Sequence, residues 1–352
     1  MNKKSLHKEI IIRDRLINED SPVYIIGEVA CGHQGDVDQA KELIDSVADA
    51  GADAVQLEFF NAAANVVSSL PFYNLVENLS FNRDQWDDVV SHARSKDIAL
   101  SAFVYDDVGL SWAIEHQPDF FKLNSSDISN PDLIIPIAQS GIPCTLGTGA
   151  TSFSEIAETI DLVLTHGEGN WILQHGIQNF PTPATDAHIN RIKLLRGRFD
   201  CLVMYADHTD ANLEIARYFD LVAIGAGACA IEKHIVLDRK AAGVDWEAAL
   251  EPQEFREYVE VMRMGGSALG ANCELPLTSS DEKYRRFQKK SIVATEDIPA
   301  GTHLNRKHVA FLRSQGEEFG LTPMQFSQIE GRKTKNKIDK DSQVNFGDLE
   351  DV

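Results

Sequence analysis

Short apolar runs that alternate with amphipathic helical stretches govern what this chain can fold into. VYIIGEVA (from Val23), AVQLEFF (from Ala54), IALSAFV (from Ile98) and DFFKLNS (from Asp119) are followed by PCTLGTG (from Pro143), NWILQHGI (from Asn170), LVMYADH (from Leu202) and ACAIEKHI (from Ala228). Each is about seven or eight residues long and bounded by Gly, Asp, Asn or Pro, the signature of a buried strand. The intervening segments have helical spacing. Ala40, Leu43, Ile44 and Val47 form one apolar stripe between Val37 and Ala50, and Ile156, Ile160 and Leu164 form another between Ser152 and Leu164. Strand then helix, eight times over about 250 residues, predicts an α/β fold of the (β/α)8 TIM-barrel type. A doubly wound open sheet is the rival, but it would carry a Gly-rich phosphate turn after its first strand, and GEVACGHQG lacks the GxGxxG spacing.

The pattern breaks after Leu269. Glu251 to Leu269 reads as the eighth helix, and the polar stretch that follows holds Pro276 and a Ser-Ser-Asp turn. From Lys289 onward come short β-type stretches with turns such as IPAGT. The expected organisation is a barrel over 1–270, a linker over 271–285 and a small β-rich module over 286–352.

The charge balance narrows the function classes. Lys and Arg total 33 against 54 Asp and Glu, a net charge of -21. Such a chain repels phosphate backbones, which argues against nucleic acid as a partner. Its one basic run, Lys333 to Lys340, reads as a solvated turn. No segment reaches the ~18 apolar residues of a membrane span, and the N-terminus lacks the apolar core of a signal peptide, so a cytoplasmic protein is expected. Five cysteines, Cys31, Cys144, Cys201, Cys229 and Cys273, contain no CxxC pair and read as reduced thiols.

In such barrels the chemistry gathers at the C-terminal ends of the strands. Polar residues there stand out against apolar strands: Glu28 and His33, Gln56 and Glu58, Lys122, Asn124 and Ser125, Gln174, His175 and Gln178, Asp207 and His208, and Glu232, Lys233 and His234. His208 and His234, ending adjacent strands, could bind one divalent metal or could be hydrogen-bonded structural groups. Glu28 reads either as a general base or as an ion-pair partner. Lys122 could bind an anion, form a Schiff base or pair with a carboxylate.

These segments resemble the sialic acid (nonulosonate) synthase family. GEVACGHQG resembles its E-x-G-x-N-H-x-G opening, FKLNSSDISNPDLI its F-K-I-x-S-x-E-x-x-N segment, LGTGATSFSEI its S-T-G-M-A segment and NFPTP its Y-P-T-P segment. YADHT…GAGACAIEKHIVLDR…VDWEAALEPQEF resembles, in order and spacing, the block that begins S-D-H-T and runs through I-E-K-H-F-T-L-D-R. The tail resembles the antifreeze-like SAF module that follows the barrel in these enzymes. The resemblance implies a C–C bond-forming transferase that condenses phosphoenolpyruvate with an open-chain, N-acetylated sugar aldehyde to a nonulosonic acid for surface glycans. It implies a divalent metal cofactor, Mn2+ or Mg2+, held by His208 and His234. It implies Glu28 as acid/base and Lys122, with Ser125 beside it, at the phosphoenolpyruvate. It also places Asp245 against the sugar, and Arg313 against the sugar of a partner in a domain-swapped homodimer. Gln56, Glu58, Gln178 and Asp207 complete the expected substrate-binding set.

The departures from the family pattern concentrate at the donor. The second-strand Lys is Gln56 here and its Gln is Glu58, while Ala102, Ala206, Gln178, Gly32 and Trp246 replace other polar or aromatic residues. Losing a cation and gaining a carboxylate weakens a doubly anionic ligand. A divergent barrel enzyme with another donor, of aldolase or lyase type, is therefore an alternative, as is a non-catalytic sugar-binding member.

Overall fold

The structure is a computed structural model, described over residues 4–270, 276–314 and 319–350. Eight parallel strands close into a barrel: β3 (Tyr24–Glu28), β4 (Ala54–Phe59), β5 (Ala99–Val104), β6 (Phe120–Leu123), β7 (Cys144–Gly147), β8 (Trp171–His175), β9 (Val203–Asp207) and β10 (Ala230–His234). β10 pairs with β3 in register, His234 opposite Glu28, which completes the ring. The expected strands all form, each within its apolar run.

Each strand is followed by a helix: α1 (Val37–Asp49), α2 (Arg83–Arg94), α3 (Asp107–Glu115), α4 (Pro131–Ser140), α5 (Phe153–His166), α6 (Arg191–Phe199), α7 (Phe219–Gly225) and α8 (Pro252–Leu269). The α1 stripe Ala40, Leu43, Ile44 and Val47 is buried as its spacing requires. Asp36 caps the helix by accepting from the amides of Asp38 and Gln39. Gly109 opens α3 where a Cβ would come within 2.3 Å of the Phe59 carbonyl oxygen, so only glycine lets that helix approach the end of β4.

Side-chain alternation sorts the strands into two environments. One face of each strand packs outward against the helices, through residues such as Ile25, Val55, Leu100, Phe121, Leu173, Val203 and Ile231. The other face points into the barrel. Its N-terminal half is apolar, with Tyr24, Ile26, Ala54, Ala99, Phe120, Ile172, Met204 and Ala230. The hairpin β1 (Ile10–Ile12) and β2 (Arg15–Ile17) adds Ile10, Ile12 and Ile17 to this cluster. The hairpin was not expected, because three-residue strands are too short to carry a readable period. With that end plugged, the opposite end is left as the mouth.

Contacts divide the chain into two compact units, Met1–Ala271 and Asn272–Val352. In the second unit, α9 (Ser279–Gln288) precedes the antiparallel pair β11 (Lys290–Ala294) and β12 (Val309–Arg313). Its own core contains Ile292, Ile298, Leu304, Val309, Ile329, Ile338, Val344 and Leu349. The segment expected as a linker is helical from Ser279, because Thr278 and Asp281 form a capping box. Residues 271–275, Cys273 among them, lie outside the described residues. The other four cysteines are buried and free. No helix among the described residues is long and apolar enough to cross a membrane.

Candidate active site at the barrel mouth

Two polar layers lie above the apolar half of the interior. The lower layer is a closed hydrogen-bond network. Lys122 Nζ donates to Glu232 Oε1 at 2.7 Å and to Glu28 Oε2 at 3.2 Å. Gln56 Nε2 donates to Glu28 Oε2 and, at 2.9 Å, to Glu232 Oε2, so one neutral amide bridges two carboxyl groups. Ser101 holds that amide from behind by donating to Gln56 Oε1 at 2.8 Å. Gln174 Nε2 adds a 2.8 Å bond to Glu232, and the Ala30 amide donates to Glu28 Oε1 at 3.0 Å. Phe103 lies beneath the ammonium, its ring centroid 4.0 Å from Lys122 Nζ.

Burial sets the protonation preferences here. It pushes Glu28 well above the usual carboxylate range; Glu232 and Glu58 push the same way, and Lys122 opposes them. Burial works against the Lys122 ammonium, but Glu232 and Glu28 outweigh it and hold the group above its usual value. Lys122 is therefore a fixed cation, and Glu28 is a carboxyl group poised to keep a proton.

The upper layer lines a cavity of about 160 Å3, bounded in part by Glu58, Asn124, Gln178, His208, Glu232 and Asp245. The His208 and His234 rings are 5.2 Å apart, and one ligand atom from each of His208, Glu232 and His234 lies within 4.8 Å of the others. His208 Nδ1 is 2.6 Å from the Ile177 carbonyl, which fixes Nδ1–H as the donor and leaves the Nε2 lone pair free. The His234 ring has no hydrogen-bond partner among the described residues. Burial lowers both imidazoles, His234 the more strongly because His208 adds to the effect, so both are neutral near pH 7. Neutral imidazoles and a carboxylate converging on one point fit a divalent transition metal.

On the other side of the cavity, Tyr105 donates to Glu58 Oε1 at 2.6 Å and the Cys31 thiol to Glu58 Oε2 at 3.3 Å. Burial raises Glu58. Asp245 stands nearby in a left-handed backbone conformation, φ 58°. Burial, with Glu58 as the strongest charge acting on it, moves the Asp245 carboxyl from 3.8 to about 7.

The fold brings together most of the residues expected at the site. Glu28, Gln56, Glu58, Lys122, Gln178, His208, His234 and Asp245 line the mouth or the layer beneath it. Ser125 is buried at the rim, its hydroxyl donating to Asn124 Oδ1 at 3.2 Å. Arg313 ends β12 in the second unit and is exposed.

Asp207 is a correction, since it does not reach the cavity. It occupies the outward position of β9, between inward-facing Ala206 and His208, and pairs with Lys233, the outward residue of β10. Asp220 of α7 approaches the same ammonium at 3.5 Å. Burial opposes the Asp207 charge, but Lys233 outweighs it and holds Asp207 below the usual range. This buried group ties the strands that carry the two histidines to their helix layer. His33 is also structural: it stacks on Phe81 and accepts from the Gly35 amide at 3.0 Å.

Glu232 and Gln174 stood out as polar strand-end residues but were given no role, while Ser101 and Tyr105 went unselected. The signal for Glu232 was present, since a residue two before His234 shares its face. Tyr105 lies in a loop just after β5, where no period applies.

Comparison with known proteins agrees with this geometry. The NeuB family model matches residues 43–274, and the SAF domain model matches residues 289–350. An uncharacterised protein of Methanocaldococcus jannaschii is 29% identical over 97% of this chain and 99% of its own length. The N,N'-diacetyllegionaminic acid synthase of Campylobacter jejuni is 28% identical over 89% of this chain and 96% of its own length. The crystal structure of a sialic acid synthetase from Leptospira borgpetersenii superposes with a TM-score of 0.73 at 29% identity, covering 79% of this chain and 96% of that one.

The Asp245 environment has a measurable consequence. A carboxyl group whose folded value lies above its unfolded value favours folding at low pH, and that contribution is lost as pH rises from about 4 to about 7. Asp245→Asn should therefore flatten the loss of stability between pH 4 and pH 7.5 in denaturant titrations. Asp220, also raised to about 7 by burial, leaves a residual slope in the variant. An unchanged slope contradicts the assignment. Eight strands closing one barrel, polar layers at its mouth and matches spanning both units lead to one conclusion: the chain belongs to the NeuB family and carries a SAF domain behind its barrel.

Proposed function

We propose that this protein condenses phosphoenolpyruvate with the aldehyde of an open-chain amino sugar and one water, forming a nonulosonic acid for surface carbohydrate and releasing phosphate. The observation that carries this reading is one cavity holding both the His208–Glu232–His234 donor set and the Lys122–Glu28 pair. The legionaminic and sialic acid synthases among its relatives support it.

In this reading His208 Nε2, His234 and Glu232 would hold Mn2+ or Mg2+, which would supply Lewis acidity for an aldehyde. Lys122 Nζ, fixed by two carboxyl groups, orients the carboxylate of the donor, with Ser125 and Gln178 at the edge of that subsite. Gln56 keeps Glu28 and Glu232 in register by bonding to both. Glu28 holds a proton beside the ammonium and delivers it to the aldehyde oxygen as that becomes a hydroxyl, then takes one from the water that adds to the donor's central carbon as phosphate leaves. Asp245 and Glu58 meet the sugar. The apolar plug below and the buried walls exclude water from the lower layer.

A second reading, aldol addition of pyruvate without phosphate, draws on a specific observation. Lys122 is the one cation lining the cavity among the described residues, and it is already bonded to two carboxyl groups. Incubating the Mn2+-loaded protein with an amino sugar and either donor separates the two. One phosphate released per new acid from phosphoenolpyruvate supports the first reading, and acid formed from pyruvate supports the second. Under either, Glu28→Gln should lower kcat roughly 10²–10⁴-fold, and a loss of less than about tenfold assigns Glu28 to structure. No product from either donor contradicts both.

This reading also includes a homodimer in which Arg313 serves the sugar site of a second copy. Mixing Arg313→Ala chains with Glu28→Gln chains should then restore activity as subunits exchange, because one site per mixed dimer is intact. Demonstrated exchange with activity held at the level of the parents rules the arrangement out.

A further inference from the structure

The charges at the mouth do not balance, and the imbalance has a location. Glu58, Glu232 and Asp245 line the cavity, Glu28 lies just beneath it, and Lys122 is the one cation facing them among the described residues. Lys122 is taken up by Glu28 and Glu232. Glu58 and Asp245 have no hydrogen-bonded cation among the described residues, and Lys122 acts on both only from beyond bonding distance. Glu58, 8% exposed, is met by two neutral donors, the Tyr105 hydroxyl and the Cys31 thiol. The Asp245 side chain lines the same cavity and has no hydrogen-bond partner among the described residues.

A separate observation marks this cavity as a place for a ligand. His234 is 6% exposed, faces the cavity and also has no hydrogen-bond partner among the described residues. A buried polar ring without a partner is costly unless something that binds completes it. The same reasoning applies to Glu58 and Asp245. Two carboxyl groups facing one low-dielectric cavity without a bonded cation are costly when the cavity is filled by a neutral or anionic group. They become favourable when the occupant brings positive charge and N–H donors.

We propose that the acceptor sugar carries a free ammonium group, which Glu58 and Asp245 receive through charge-assisted hydrogen bonds. The inference rests on the reading above that the acceptor is an open-chain amino sugar, and it specifies the state of an amino group on that sugar. N-acetylation at that position removes the charge and sets a methyl group against two carboxyl groups. A hydroxyl there can donate to a carboxylate but brings no positive charge to offset the second one.

The test is binding to the Mn2+-loaded full chain by calorimetry, using matched pairs of sugars. The probes are 2-amino-2-deoxyhexoses and 2-acetamido-4-amino-2,4-dideoxyhexoses, each against its fully N-acetylated form. At least one free amine should bind about tenfold or more tightly than its acetylated partner, the gain expected of hydrogen bonds to a charged group. Glu58→Gln and Asp245→Asn should each reduce that preference, with unfolding midpoint and Mn2+ binding measured as controls of folding. Equal or tighter binding of the acetylated member in every pair, or no binding of any amine, overturns the proposal, and wild-type protein alone suffices to show it. Turnover is scored separately. An amine preference without product from any donor sinks the synthase reading and leaves the subsite, whereas turnover of acetylated sugars without an amine preference does the reverse.

Discussion

A parallel strand that closes a barrel has both faces buried, and the period of two decides which residue meets which environment. In this chain the constraint is visible at β9 and β10. Glu232 and His234 face inward while Lys233 between them faces the helices, and Asp207 is turned outward beside inward-facing Ala206. A one-residue slip of either strand would exchange the metal-type donors for the Asp207–Lys233 pair and destroy both. The outward ion pair, with Asp220 beside it, thus sits back to back with the inward donor set on the same two strands.

The inward layer solves a problem of buried charge. An isolated ammonium or carboxylate in this interior would be prohibitively costly, and a lone Glu28–Glu232 pair would repel. Lys122 and the Gln56 amide each bond to both carboxyl groups, so the layer is stable only as a unit. This explains how a neutral Gln56 can stand between two buried carboxyl groups. With Glu28 inclined to keep its proton, a second ammonium is not required for balance within that layer. The consequence falls on ligands, since among the described residues the layer offers an anionic group one cation.

The fold was legible because eight apolar runs of strand length and their helical partners leave few alternatives. The hairpin that plugs the barrel was not, since Ile10–Ile12 and Arg15–Ile17 are too short to show a period. At the site, histidines and charged residues at strand ends could be found by type, but their orientation required the register. That is why Asp207, next to His208 in sequence, seemed equivalent to it, and why Glu232 was assigned no role. The Tyr105–Glu58–Cys31 contacts join three different loops and strands, and no local pattern encodes them.

The central claim is that the β9 and β10 ends, with the network beneath them, form one metal-centred site. Anomalous diffraction at the manganese edge, from crystals soaked in Mn2+, tests it most directly. The account predicts a single strong peak within coordination distance of His208 Nε2, a ring nitrogen of His234 and a carboxylate oxygen of Glu232, with Lys122 still bonded to Glu28. Absence of a peak there from crystals that bind Mn2+ elsewhere, or a peak away from both histidines, would contradict it.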